Sequence, residues 1–143
     1  MSNFGFDTEG KSVVERWGSL IEGKVVVLTG ASEGGLGGAT ALALASARPS
    51  HLVLLARTEN KARNVISLIK EISPETQPAF VHIELDDLDS VRRAAADVLS
   101  ITSKINVLIN NAGVMTIPWS KSKSGLERAL AINHLGHSSL RNC

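Results

Sequence analysis

A run of β-branched and aliphatic residues, Lys24-Val25-Val26-Val27-Leu28-Thr29, gives way to Gly30-Ala31-Ser32-Glu33-Gly34-Gly35-Leu36-Gly37, and an Ala/Leu-rich stretch from Ala39 to Ala47 follows. Apolar character without alternation is the pattern of a strand covered on both faces. The glycines predict a turn so tight that a Cβ would collide with a ligand or with the next helix, and Gly30, Gly35 and Gly37 meet that need. Arg48-Pro49 closes the helix, because proline cannot continue one. Strand, glycine loop and helix in this order leave backbone N–H groups at the helix start, where a pyrophosphate is favoured.

The same alternation continues. His51 to Ala56 predicts a second strand, and Thr58 caps a helix whose Ala62, Val65, Ile66, Ile69 and Ile72 recur at helical spacing until Pro74 and Pro78 end the unit. Ala79 to Ile83 predicts a third strand. Asp87 or Asp89 caps a helix through Val91, Ala94, Ala95, Val98 and Leu99, and Ile105 to Ile109 gives a fourth strand. From Ser124 to about His137 the pattern is helical again, with Leu126, Leu130, Ile132 and Leu135 as its buried positions. Ahead of the first strand, residues 12–21 predict a short helix burying Val13, Val14, Trp17, Leu20 and Ile21, started by a Ser12–Glu15 capping box. Strands alternating with helices imply right-handed crossovers and a doubly wound parallel sheet, an α/β fold stopping after about four strands. The expected division is a leader at 1–22 and a partial dinucleotide-binding domain at 23–143.

Composition narrows the function. With 143 residues, 43% of them apolar, the chain can bury one core. Fifteen Lys+Arg against fourteen Asp+Glu leave a net charge of +1, so no field points to nucleic acid or to an anionic membrane. The single cysteine, Cys143, cannot close an internal disulfide, which fits a reducing compartment. Asp7, Glu9, Glu15 and Arg16 break up the first twenty residues, unlike a signal peptide. The longest apolar runs fall short of the ~20 residues that span a bilayer, so a cytoplasmic protein is expected. His134 and His137 stand three apart without an accompanying Cys or carboxylate cluster, so no metal site is expected. His51 and His82 read as structural, and Trp17 and Trp119 as packing or lid residues.

The dinucleotide pattern G-x-G-x-x-G fails here, since Thr40 stands where its last glycine belongs, and no G-K-[ST] follows to make a P-loop. The segment instead resembles the Thr-Gly-x-x-x-Gly-x-Gly start of the short-chain dehydrogenase/reductase family, with one extra residue, so that Gly35, Leu36 and Gly37 match the Gly-x-Gly. Asn110-Asn111-Ala112-Gly113 resembles that family's Asn-Asn-Ala-Gly motif, and Asn133-His134-Leu135-Gly136-His137 its active-site Asn helix. The resemblance implies a Rossmann-type fold and a nicotinamide cofactor. It implies phosphate contacts from Gly30, Ser32, Gly35, Leu36 and Gly37, and adenine contacts from Glu84 and Leu85, with Asp86 as the runner-up. Asn110, Ala112 and Gly113 would border the ribose and nicotinamide, and the backbone of Asn133 would hold a water in the proton relay. At the end of strand two, where a carboxylate would bind the 2′-OH of NAD, Arg57 follows Ala56. That favours NADP over NAD, although Glu33 in the loop could repel the same phosphate.

In this family a Tyr donates the proton to the carbonyl, assisted by a Lys and a Ser. The resemblance places all three beyond residue 143, and the chain has no tyrosine at all. Loss of a general acid costs about 10²- to 10⁴-fold. The expectation is the cofactor-binding half of an NADP-dependent oxidoreductase acting on a small carbonyl or alcohol. Its look is similar to retinol-dehydrogenase-like fungal members, some of which serve secondary metabolism. The alternative is a catalytically inactive module that binds NADP(H) or a partner. With the family's strand order, Val107 to Ile109 would form an open edge inviting aggregation, or homo- or hetero-oligomers through that edge or the last helix.

Overall fold

The computed structural model describes residues 4–143. Four parallel strands, β1 (Val25–Thr29), β2 (His51–Ala56), β3 (Gln77–His82) and β4 (Val107–Ile109), form one sheet in the order β3-β2-β1-β4. Val25 lies opposite His51, His51 opposite Gln77, and Val26 opposite Val107. The chain therefore builds outward from β1 to β3, then crosses back to place β4 on the other side. Residues 1–3, the start of the expected leader, lie outside the described residues.

Helices α2 (Leu36–Ala45) and α3 (Glu59–Ile72) cover one face of the sheet, and α4 (Leu88–Ile101) the other. On the first face Val26, Leu28, Leu52 and Leu54 pack with Ala41, Ala45, Val65 and Ile69. On the second, Val27, Val53, Leu55 and Val81 meet Val91, Ala94 and Val98. Both faces of β1 and β2 are thus dry, which is why their sequences are apolar without alternation. Burying a side chain such as Leu54 stabilises the fold by about 1.5–3 kcal/mol.

Several boundaries differ from those expected. The first helix, α1, spans Gly10–Trp17, so Ser12 lies inside it; Glu9 occupies the cap position and makes no side-chain cap bond. No residue of α1 is buried. It rests on α2 where Gly10 meets Ala43, and just past both helices Gly18 meets Ala47; Val13, Trp17 and Leu20 are left exposed. Thr58 holds the extended cap conformation before α3 but its hydroxyl makes no cap bond; Ile72 is exposed. Pro78 does not end the α3 unit but lies within β3, tolerated because β3 is an edge strand. Asp87 rather than Asp89 caps α4, accepting from the Asp89 and Ser90 amides at 3.1 and 3.3 Å.

The largest correction is in the last helix. It starts at Arg128, where the Glu127 carboxylate accepts from the Ala129 and Leu130 amides. The short α5 (Arg128–Leu130) passes into a π-helical segment (Ala131–Gly136) and then α6 (His137–Asn142). The wider π turn shifts the helical phase. Leu126 and Leu130 are consequently exposed, Ile132 and Leu135 half-buried, and Ala131, Gly136, His137 and Leu140 face inward.

Candidate functional site

A cleft of about 370 Å³ opens at the carboxyl ends of the strands, on the side of β1 where the strand order reverses. Crevices at such a switch point are where open α/β sheets take ligands. Its floor is the glycine loop. Gly30 adopts φ +77°, and a Cβ there would lie 2.8 Å from the Ala112 Cα. A Cβ on Gly37 would strike the Gly30 carbonyl, and one on Gly38 the Ser32 carbonyl. Gly35 is different, since its nearest protein atom would be the Ser32 oxygen at 3.4 Å. The loop crowds itself at Gly37 and Gly38 while leaving Gly35 open to the cleft.

The first intrahelical bond of α2 runs from the Ala39 N–H to the Gly35 carbonyl at 3.1 Å. Leu36, Gly37 and Gly38 therefore supply the helix's orphan amides, together with the positive end of its dipole. The extra residue bulges outward: Glu33 and Gly34 are exposed, Gly34 at φ +71°. The Glu33 amide donates to the Lys61 carbonyl at 3.1 Å, and its carboxylate accepts from Asn64 at 2.7 Å. Glu33 does not line the cleft, its carboxylate being turned to Asn64.

Gly30, Ser32, Gly35, Leu36 and Gly37 all line the cleft. Arg57, Leu85, Ala112 and Gly113 join them. Glu84, Asn110 and Asn133 are not on its wall. Glu84 donates its amide to the Ser90 hydroxyl at 3.0 Å, and Asn110 is exposed. Asp86 takes the wall position instead, with its carboxylate held by Arg128 at 2.8 Å. Asn133 grips the neighbouring loop, accepting from the Val114 N–H at 2.8 Å and donating to the Val114 carbonyl at 2.9 Å.

Two contributors were not anticipated. Lys61, four residues beyond Arg57 across the turn from β2 into α3, lines the same wall. Among the described residues neither cation pairs with a carboxylate. The Arg57-x-x-x-Lys61 spacing was the available signal. Asn111, in the motif but not among the expected ligands, donates to the Thr29 and Gly30 carbonyls at 2.9 and 3.3 Å, tying β4 to the glycine loop. Further out, Lys123 and the α4 amides hold the Asp87 carboxyl below its usual range, and the Leu130 and Ala129 amides do the same for Glu127.

A nucleotide fits this donor set. The glycine cradle excludes side chains, the α2 amides suit a pyrophosphate, and two unpaired cations stand at one end of the cleft. Among the described residues no His/Cys/Asp/Glu cluster could hold a metal, and no helix is long and apolar enough to cross a membrane.

Residues 24–141 match the short chain dehydrogenase family. The oxidoreductase fscI of Fusarium equiseti is 36% identical over 135 residues, covering 94% of this chain and 52% of that protein. Human retinol dehydrogenase 12 is 39% identical over 117 residues, 82% of this chain and 36% of that one. A metagenomic short-chain oxidoreductase crystallised with NADP superposes with a TM-score of 0.71 at 29% identity, covering 85% of this chain and 55% of its own. The chain spans about half the length of the first of these relatives and about a third of the second.

Proposed function

The chain belongs to the short-chain dehydrogenase family, and on that premise we propose that its cleft binds NADP(H) in an oxidoreductase that interconverts a carbonyl and an alcohol. The observation that carries the cofactor choice is the Arg57–Lys61 pair beside Ala56, with no carboxylate at the end of β2 to accept from a ribose 2′-OH. Two cations suit a 2′-phosphate, and the outward turn of Glu33 leaves them unopposed. The relative crystallised with NADP supports the same choice.

In this reading residues 23–143 are the cofactor-binding part and residues 1–22 a leader. The orphan amides of Leu36 and Gly37, beside Gly30, Ser32 and Gly35, hold the pyrophosphate. Leu85 and Ile83 wall the adenine, Asp86 standing nearer than Glu84, and Ala112 and Gly113 border the nicotinamide ribose. Asn110 and Asn133 act from behind this wall. The cofactor, when bound, supplies the hydride for the carbonyl carbon. The chain's own residues orient the nucleotide, and Asn133 fixes the Val114 backbone beside it. The chain has no tyrosine, so its own residues supply no phenolic proton donor.

The test is a titration of the 143-residue chain with NADPH and NADH, followed by calorimetry. Charge-assisted bonds to the phosphate favour NADPH by about 10- to 100-fold. Equal affinities would overturn the NADP assignment, and no binding of either would overturn the cofactor reading.

A further inference from the structure

One buried polar pair lies outside the expected cofactor contacts. His137, 6% exposed at the start of α6, sets its Nε2 3.0 Å from the hydroxyl of Thr29, which is 0% exposed at the end of β1. The other ring nitrogen, Nδ1, lies 3.5 Å from the Asn133 carbonyl. The His137 backbone N–H donates to the His134 carbonyl, one residue short of its α-helical acceptor, Asn133. Next to it, Gly136 is pressed so closely on the Leu85 carbonyl that no Cβ would fit. The ring is therefore fixed between the floor of the cleft and the π turn that carries Asn133.

Proton placement follows from these partners. The Thr29 oxygen already accepts the Ala112 N–H at 3.0 Å. Its own proton can go to His137 Nε2 at 3.0 Å or to the Ile109 carbonyl at 3.5 Å, and the shorter path is to the histidine. Nε2 is then an acceptor, and the ring proton sits on Nδ1, facing the Asn133 carbonyl. The opposite tautomer would set the bare Nδ1 lone pair against that carbonyl, two acceptors together. Burial disfavours the charged ring.

We propose that His137 is a positioning residue. As a neutral imidazole protonated on Nδ1, it links the Thr29 hydroxyl to the Asn133 carbonyl and so fixes where that carbonyl points relative to the nicotinamide end of the cleft. Ala112 and Asn133 are thereby held by one chain of bonds that starts at β1.

The test uses the 143-residue chain labelled with ¹⁵N, whose imidazole nitrogens report the tautomer directly. The expected spectrum shows His137 with Nδ1 protonated and Nε2 bare. A ring protonated on Nε2, or one averaging between tautomers, would overturn the proposal without any variant being made. Thr29→Ser should leave both ring-nitrogen shifts unchanged, whereas Thr29→Val, which removes the Nε2 donor but not the Asn133 carbonyl, should keep Nδ1 protonated and move the Nε2 shift; a histidine that only fills space would be indifferent to both. A second arm rests on the cofactor reading. His137→Phe should weaken NADPH about threefold to tenfold while leaving 2′-phospho-ADP-ribose, which lacks the nicotinamide, within about twofold. Equal losses on both ligands would reject the positioning role. Failure of the unaltered chain to bind either ligand would count against the cofactor reading alone, leaving the tautomer result to stand.

Discussion

Where β2 runs into α3, the cleft is bounded by Arg57 and Lys61, exposed and unpaired among the described residues; where β4 leads toward Val114, it is bounded by a chain of hydrogen bonds, its buried member joining Thr29 to a histidine 108 positions away. The first end is made by near neighbours in sequence acting through charge. The second is made by distant residues acting through fixed geometry. Charge at an exposed rim discriminates between ligands and is screened by salt, whereas a buried network fixes atomic positions and tolerates little change.

The floor shared by both ends is where that contrast breaks most sharply. Gly37→Val drives a side chain into the Gly30 carbonyl and Asn111, and should destabilise the fold by about 3 kcal/mol or more in urea. Gly35→Ala meets nothing nearer than 3.4 Å. It should stay folded within about 1 kcal/mol yet lose NADPH affinity, because the missing space belongs to the ligand. If Gly35→Ala binds normally, the pyrophosphate lies elsewhere.

At the charged end, replacing both Arg57 and Lys61 by Ala should cost NADPH about 10- to 100-fold and spare NADH. A loss shared by both nucleotides would mean the cations act through the fold. At the buried end the lever is pH. Burial pushes His137 below its ordinary value of 6.5, outweighing the Asn133 carbonyl. The unfolded chain then takes up the proton more readily than the folded one. Stability from this group is complete above the unfolded value and is lost as pH falls from there through the folded value. The melting temperature should drop between about pH 7.5 and 5.5, and His137→Gln should flatten that slope; an unchanged slope would place its origin in other groups. The smallest effect is expected from Arg128→Ala. Its pair with Asp86 is partly solvated, so the loss should stay within about 1 kcal/mol, with NADPH affinity changed less than about threefold.

The same contrast explains what could be read in advance. β2 has the bounds its sequence announces, and the α2 and α3 units follow from apolar spacing and from Pro49, because each is settled within a dozen neighbouring residues. Arg57 and the loop glycines were legible for that reason. The last helix was not. Its phase is set by Leu85, Thr29 and the π turn, so Leu130, apolar and well spaced, ended exposed while His137 went inside. Ser12 and Glu15 had capping spacing, but the helix had already begun at Gly10. Lys61 escaped because its role depends on where β2 ends, and spacing alone does not distinguish it from a solvated lysine.

Pro78 has a consequence for how such a sheet can grow. Gln77 sends its N–H inward to Ser50 at 2.9 Å, so in a parallel strand the next residue's donor would face outward. Proline has none. A newcomer approaching β3 from outside would find a gap in the ladder, whereas on β4 the outward-facing amides of Val107 and Ile109 are both present. Lateral extension of this sheet is hindered at one point of β3, where the ladder lacks a donor, and meets no such gap beside β4, the strand that frames the cleft.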